Sequence, residues 1–325
     1  MMRVLVTGGT GQIGGAIAKA LVQRGDTVRA LVRDAARPGH LAELDLELHQ
    51  GDVTQAESLE SACVGIDAVI HSAGCISYWK KGHARMNSVN VEGTRNMLES
   101  ATRAGVGRFV HTSSMACFGY VDGDGIGDER TEYNWGPLNI GYCDSKKAAE
   151  DLVLGWADMP CIAVNPGITL GEGDVNGNGV RLLAQLKAGK IKGIPPGHTT
   201  LCCLTDIVAG HLAALEKGRI GERYHLGGHP MSWEAVFQLA AKVVDAPPPP
   251  RKVSRGLMMT MARLQMLGGW CTGVGPKITA QVVEISSRNR MYDCSKAQEE
   301  LGYSISDLEN SINLAWDWYQ RAHLG

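Results

Sequence analysis

With 325 residues, 32 of them basic and 34 acidic, the chain can bury a full core, and its net charge of −2 gives no reason to expect nucleic acid as a partner. Hydrophobic residues at 44% and charged ones at 20% strike the balance of a globular enzyme rather than a disordered or fibrous chain. Nine cysteines, odd in number and irregularly spaced, with Cys202 beside Cys203, argue against a disulfide framework or a four-ligand zinc set and point to buried thiols in a reducing compartment.

The opening residues, MMRVLVTGG, pass directly into a strand-like run, with no charged leader ahead of an apolar core. Arg3 to Thr7 predicts a strand, Gln12 to Gln23 a helix, Thr27 to Val32 a second strand and Leu46 to Gln50 a third. A short helix near Ala56 to Ala62 precedes a fourth strand, Ala68 to His71. Met86 to Ala104 reads as one long helix, Arg108 to Thr112 as a strand, Tyr142 to Trp156 as a helix and Cys161 to Asn165 as a buried strand. The strands are apolar throughout rather than alternating, as expected where helices cover both faces of a parallel sheet. Two polar, glycine-rich loops, Tyr120 to Gly141 and Gly171 to Gly179, sit at strand ends, where such folds place ligands.

Beyond residue 171 the periodicity is mixed. Pro247 to Pro250 is a stiff connection, Leu308 to Tyr319 is an amphipathic helix, and no internal repeat is present. No stretch reaches the roughly 18 apolar residues that a bilayer crossing needs. Leu257 to Trp270 comes nearest, but it is short and holds Arg263 and Gln265. It reads as an amphipathic or core helix, with peripheral membrane contact as the alternative. The expectation is a cytoplasmic α/β chain: a doubly wound parallel sheet of Rossmann type with a smaller, mostly C-terminal substrate lobe.

Thr7-Gly8-Gly9-Thr10-Gly11-Gln12-Ile13-Gly14 leaves a strand and opens a helix, the setting a dinucleotide motif requires. Gly8 makes the tight turn, Gly11 lets backbone approach a pyrophosphate, and Gly14 allows close packing of helix on strand. The free N–H groups of the helix start face the phosphates. Val32-Arg33 ends the second strand where a carboxylate would select NAD. A guanidinium there can pair with a ribose phosphate, so NADP(H) is the preferred cofactor. Asp34, one step on, keeps NAD(H) possible. Asp52, in Gly51-Asp52-Val53, can accept from the adenine amino group or simply cap a turn. Ser72-Ala73-Gly74 supplies small residues where a cofactor would pass close to backbone.

Tyr142 and Lys146 lie four apart on a helix and share one face. A phenol with a reference pKa of about 10 is a poor base near neutrality, and a neighbouring ammonium and a bound nicotinamide would favour its phenolate. Tyr142 then exchanges a proton with a carbonyl or hydroxyl oxygen, while Lys146 also holds the nicotinamide ribose. Thr112-Ser113-Ser114 closes a strand with hydroxyls able to orient the same oxygen. Asn90 can fix backbone or water near Lys146, and Asn165-Pro166-Gly167 would set backbone beside the nicotinamide. No metal site is expected.

TGGTGQIG, HSAG, NVEGTRN, HTSS and YCDSK follow one another in an order that resembles the extended short-chain dehydrogenase/reductase family over essentially the whole chain. Within it the chain is most similar to the dihydroflavonol-reductase-like and NAD-dependent epimerase/dehydratase-like branch. The resemblance implies Ser114, Tyr142 and Lys146 as catalytic positions, with Ser113 as the alternative hydroxyl. Pro166 and Gly167 would join the glycine motif in holding the cofactor. LTDIVAGHLAAL, GERYHLGG and CSKAQEELGY match later landmarks. They imply a nucleotide domain of residues 1–170 to which 201–228 return, and a substrate lobe of 171–200 and 229–325. Homodimerisation through the helices near 86–104 and 142–157 is implied likewise. Phe118 departs from the tyrosine that related chains often carry there.

The substrate, a small molecule, is expected beneath Cys75 to Arg85, Phe118 to Ile140 and Gly171 to Leu201. Met258, Met259, Met261 and Met266 either fill the lobe's core or line an adaptable apolar wall. The leading expectation is NADPH-dependent reduction of a ketone or aldehyde on a moderately hydrophobic molecule. Beside it stand a sugar-nucleotide epimerase or dehydratase working by internal redox, a hydroxysteroid-type dehydrogenase, and a nucleotide-sensing protein without catalysis. Dehydration is the weaker half of the first alternative, because Met115 and Ala116 follow Ser114 with no adjacent carboxylate.

Overall fold

Successive side chains of the first strand bury on opposite sides of one sheet. Val4 and Val6 enter one core while Leu5 enters another, and neither core leaves a polar face. That is the pattern of a sheet sandwiched between helices. The computed structural model describes all residues except 176, 178, 250, 273, 274, 277 and 325. Asn176 and Asn178 of the Gly171 to Gly179 loop, and Pro250 of the proline run, lie outside the described residues.

In chain order the elements are β1 (Arg3–Thr7), α1 (Gln12–Arg24), β2 (Thr27–Val32), β3 (Glu47–Gln50), α2 (Glu60–Cys63), β4 (Ala68–His71), α3 (His83–Asn87) and α4 (Gly93–Arg103). They continue with β5 (Arg108–Thr112), α5 (Gly141–Leu154), β6 (Cys161–Pro166), β7 (Ile168–Leu170), α6 (Val180–Lys187), β8 (His198–Cys203), α7 (Leu204–Lys217) and β9 (Arg223–Leu226). The last are β10 (His229–Ser232), α8 (Trp233–Val243), α9 (Arg255–Thr272), α10 (Ala280–Ser286), α11 (Ser295–Leu301) and α12 (Leu308–Leu324). The segment expected as one helix from Met86 to Ala104 is instead α3 and α4 joined by a π turn over Ser88–Glu92, which buries Asn90.

Seven parallel strands run in the order β3-β2-β1-β4-β5-β6-β9. The order reverses between β1 and β4, and a crevice at their C-terminal ends follows from that reversal. Helices α1, α7 and α11 pack on one face, through residues such as Ile17, Leu21, Ile207 and Leu301. Helices α2, α4 and α5 pack on the other, around Met97, Leu98, Phe109 and Val153. A second sheet, β10-β8-β7, anchors a smaller core with α6, α8 and α12, built on Leu183, Phe237 and Ile312. The expected Rossmann-type sheet with an added helical lobe is therefore present.

Helix α5 is tied to the sheet by a charge it cannot expose. Glu150 is 0% exposed and accepts from Arg223 of β9 at 2.9 Å and from the Asn165 amide. Removing one member of a buried pair leaves the other uncompensated, at a cost of roughly 3–5 kcal/mol, whereas surface pairs contribute about 0.5 kcal/mol. Glu150→Ala is therefore expected to lower unfolding stability by about 3 kcal/mol or more. Lys147→Ala, which breaks the solvent-facing pair with Asp151, should cost under about 0.5 kcal/mol. Urea unfolding of both variants decides; equal midpoints would overturn the contrast.

Candidate active site

At the sheet's reversal point Gly8 adopts φ +71°, and a Cβ built on it would stand 2.6 Å from the Ser72 carbonyl. A Cβ on Gly14 would lie 2.4 Å from the Gly8 oxygen. Both glycines are thus required by backbone contact, which is the space a passing pyrophosphate shares. The Gly8 oxygen accepts from Gly11 N–H at 2.9 Å, and Gly11 starts α1 without a side-chain cap. The leading amides of α1 remain for an anion.

A buried chain of hydrogen bonds braces this crevice from behind. Ala73 N–H donates to Thr7 Oγ1 at 3.1 Å, Thr7 Oγ1 meets His71 Nδ1 at 2.9 Å, and His71 Nε2 meets Thr94 Oγ1 at 3.1 Å. Thr94 spends its own proton on the Asn90 carbonyl at 2.7 Å. It follows that His71 donates through Nε2 and accepts at Nδ1. Burial, aided by the Lys146 charge, pushes its pKa down to about 3, so the ring stays neutral.

The crevice, about 580 Å³, is lined by Thr7, Gly8, Thr10, Gly11, Gln12, Ile13 and Gly14, by Arg33, Asp52, Val53, Ser72, Ala73 and Gly74, and by Tyr142 and Lys146. That volume suits a dinucleotide-sized ligand. Gln12 also reaches over it, donating to the Gly171 and Glu172 carbonyls at 3.0 and 3.1 Å. Asp174 and Val175 thereby join the wall, so part of the loop expected over substrate covers the nucleotide crevice instead. The Asp52 carboxylate accepts from Thr54 N–H and its hydroxyl, both at 2.9 Å, capping a turn while facing the crevice. Pro166 and Gly167 do not line it: a Cβ on Gly167 would be 2.7 Å from the Thr200 oxygen, and its N–H goes to Leu226. They join β6 to β8 and β9. Arg85, on α3, is a crevice cation that sequence reasoning missed, since nothing in its spacing sets it apart from a surface arginine.

Tyr142 projects from the first turn of α5 and is half-buried. Burial pushes its pKa up to about 12, against the pull of a hydrogen bond with Ser114 and the charge of Arg290. Lys146, four residues on, is buried and donates to the Thr112 carbonyl at 2.8 Å. Burial lowers its pKa, while Glu150 resists the fall. Ser114 and Arg290 pull the Tyr142 pKa down, while Lys146 donates to backbone.

Ser114 and Ser113 separate cleanly. Ser113 Oγ lies 3.1 Å from Cys117 Sγ in the interior, whereas Ser114 accepts from Ala116 N–H at 3.1 Å and bonds Tyr142. Ser114 backbone is held in turn, its carbonyl accepting from Asn165 Nδ2 at 3.0 Å. Glu150, and the side-chain role of Asn165, were missed as site supports. The signal lay in Tyr142, Lys146 and Glu150 recurring every four residues on one helix face. Asn90 clamps rather than touches: it pairs with both backbone groups of Cys75 at 2.7 and 2.9 Å and donates to Ser145 Oγ at 3.0 Å.

On its far side Tyr142 meets Tyr78 edge-on at 5.6 Å and joins a cluster with Trp135, Ile140, Tyr120 and Ile285. Phe118 turns away, packed on His225 and Tyr292. Of the methionines on α9, Met261 is exposed and the other three are half-buried, outside this wall.

Comparison with known proteins matches residues 4–227 to the NAD dependent epimerase/dehydratase family. The chain is 32% identical to a putative dihydroflavonol 4-reductase of Synechocystis sp., covering 97% of this chain and 94% of that one. It is 28% identical to sterol demethylase protein B of Methylococcus capsulatus, over 98% of each, and 29% identical to a 3-beta-hydroxysteroid dehydrogenase of Mycolicibacterium neoaurum, over 93% and 86%. Among solved structures, gox2253 superposes with a TM-score of 0.87 at 29% identity over 99% of each chain. A nucleoside-diphosphate-sugar epimerase from Pseudomonas aeruginosa gives 0.80 at 25%, over 99% and 98%. MoeE5, bound to UDP-glucose and NAD, shares the fold at 0.76 and 22% identity, over 98% and 99%.

These comparisons correct the NADP(H) expectation: the matched structures described with a dinucleotide hold NAD. Arg33 lines the crevice, whereas Asp34, next in the chain, turns its carboxylate to Ala36 N–H and to Arg37. A parallel sheet with a glycine-cradled crevice, and a family match spanning most of the chain, lead to one assignment: the chain belongs to the NAD-dependent epimerase/dehydratase family and is an NAD(P)-dependent oxidoreductase of the extended short-chain dehydrogenase/reductase type.

Proposed function

We propose that the chain interconverts a secondary ring hydroxyl and the corresponding ketone on a bulky apolar molecule, with NAD(H) as redox partner, in the manner of a hydroxysteroid-type dehydrogenase. The observation that carries this reading is the apolar side of Tyr142, where half-buried Tyr78 and Tyr120 stand in front of buried Trp135 and Ile285. A rigid apolar ring system fills such a wall with little loss of its own freedom. The names of relatives that match over nearly their whole length, a sterol demethylase protein and a 3-beta-hydroxysteroid dehydrogenase, support it.

The glycine turn, the α1 amides and Lys146 would hold NAD, which when bound supplies the hydride acceptor or donor. Tyr142 takes the hydroxyl proton during oxidation and returns it during reduction. Ser114, bonded to Tyr142, orients the substrate oxygen toward that phenol. Asn165 and Glu150 position Ser114 through its carbonyl. Asn90 keeps the Cys75 loop in place beside α5.

A second reading, epimerisation of a nucleotide-linked sugar with NAD retained through the turnover, is favoured by Arg290. This guanidinium is 6% exposed, reaches only Thr199 Oγ1 at 3.4 Å, and has no carboxylate partner among the described residues. A buried cation of that kind suits an anionic substrate group.

Tyr142→Phe is expected to cut turnover by about 10²–10⁴ while nicotinamide fluorescence still reports NADH binding. Unchanged turnover would remove Tyr142 from the chemistry. Because burial pushes the Tyr142 pKa up to about 12, alcohol oxidation should rise with pH from neutrality upward as phenolate accumulates, and ketone reduction should not. Ser114→Ala removes a bond that lowers this pKa, so the rising limb should move to higher pH and kcat fall by roughly 10²–10³. A pH profile identical to that of the unaltered protein would exclude the Ser114 role.

Denaturing freshly purified protein and identifying the released nucleotide separates the two readings. Readily exchanged NAD(H), with turnover of steroid alcohols in a substrate panel, is expected. Stoichiometric, tightly held NAD with turnover of nucleotide-linked sugars would replace the first reading by the second. NADP preferred by about tenfold, or ~1.4 kcal/mol, would contradict both.

A further inference from the structure

Helix α9 breaks the rule that an outer helix turns charge to water. Its inner face, with Ala262 and Gly269 buried and Met258, Met259 and Met266 half-buried, packs toward α10. Met266 Sδ accepts from Ala280 N–H at 3.4 Å, and Gln265 holds Ile278 N–H at 3.1 Å. The opposite face is apolar too. Leu257, Met261, Leu264 and Leu267 are 56, 44, 65 and 65% exposed. Leu257, Met261 and Leu264 are spaced four and three apart, so they form one stripe, with Leu267 on its flank. Contiguous apolar patches on an outer surface mark a contact with something else.

The charge around this stripe identifies its partner. From residue 246 to 283 the sequence carries Arg251, Lys252, Arg255, Arg263 and Lys277 and no acidic residue. Lys252 and Arg255 pair with Glu234 and Glu284, while Arg251 and Arg263 form no ion pair among the described residues. The loop beside the end of α9 adds exposed Lys80 and Lys81, and its Trp79 ring packs on Gly275, where a Cβ would be 3.3 Å away. A second copy docked by two-fold symmetry would bring the same cations face to face. An anionic lipid surface supplies the opposite charge and takes the leucines as well.

We infer that the outer face of α9, with the Lys80–Lys81 loop, docks peripherally on an anionic lipid surface. No helix among the described residues is long and apolar enough to cross a bilayer, so the leucines enter only the headgroup and upper acyl region while the cations meet lipid phosphates. The inference stands on the exposed face and its charge, and does not depend on which substrate the active site takes.

Flotation of the full chain with vesicles tests it. The protein should float with phosphatidylcholine–phosphatidylglycerol vesicles and not with phosphatidylcholine alone, and raising salt to about 0.5 M should release it. A Leu264→Glu/Leu267→Glu variant should bind at least about tenfold more weakly while keeping its circular dichroism, melting temperature and NADH binding. Failure to float with either vesicle, equal flotation with both, or flotation unaffected by the variant would overturn the proposal. So would light scattering that shows a dimer reduced to monomer by the same substitutions, because a second copy would then cover the face.

Discussion

The site depends first on a missing side chain. Gly8 lets the turn after β1 lie against the Ser72–Ala73 peptide at the end of β4, a contact in which a Cβ would be 2.6 Å from carbonyl carbon and oxygen. These two strands are where the sheet order reverses, so their loops must diverge yet start in contact. With that contact made, Thr7 Oγ1 can receive Ala73 N–H and close on the neutral His71 ring. A bulkier residue at 8 would therefore disturb a buried polar chain reaching as far as Asn90, not merely narrow a nucleotide crevice. Such chains are costly when only partly satisfied.

The second dependence runs along α5. Four residues of helix rise about 6 Å, so Tyr142, Lys146 and Glu150 form a column from the crevice mouth to the interior. The lower end is fixed by Glu150 between Arg223 and Asn165, and Asn165 also holds the Ser114 carbonyl. One buried carboxylate thus sets both the helix that carries Tyr142 and the strand end that carries Ser114. The desolvation of that carboxylate is a liability for stability taken alone. Its return is a fixed Ser114–Tyr142 geometry, the kind of support that keeps reacting groups preorganised.

Much of this was legible in the residues. The strands from Arg3 to Thr112 and the glycine turn follow from apolar runs and from a motif whose backbone requirements are local. Periodicity says less where two structures share it: Ser88–Glu92 fits a helical pattern, and only tertiary contacts reveal the π turn that swings Asn90 inward onto Cys75 and Ser145. Gln12 looked like a motif residue, but its side chain acts on a loop 159 positions away, a pairing no local pattern contains. The cofactor choice failed for a related reason. Arg33 was weighed by its type at a strand end, a signal that a surface arginine shares, while the matched structures described with a dinucleotide hold NAD. After Gly171 burial is decided by partners distant in sequence, such as β8 with β10.

Arg290 sharpens the question of substrate. It lies in the extended stretch that bonds to β8, two residues from Arg288, whose guanidinium stacks on Tyr120 at 4.5 Å. Side chains two apart on such a stretch share a face, so both cations turn toward the aromatic wall by Tyr142. An apolar ring system accommodates Arg288 readily, because a stacked guanidinium is weakly hydrated and tolerates apolar neighbours. Arg290 is harder to satisfy, since its charge is buried without a carboxylate. Its field favours negative charge at Tyr142, which stabilises the phenolate needed for oxidation and works against protonating a ketone. On that ground the same buried cation that would attract an anionic substrate also raises the share of Tyr142 present as phenolate at a given pH, so the charge behind the tyrosine bears on its protonation state as the shape before it bears on what can reach it.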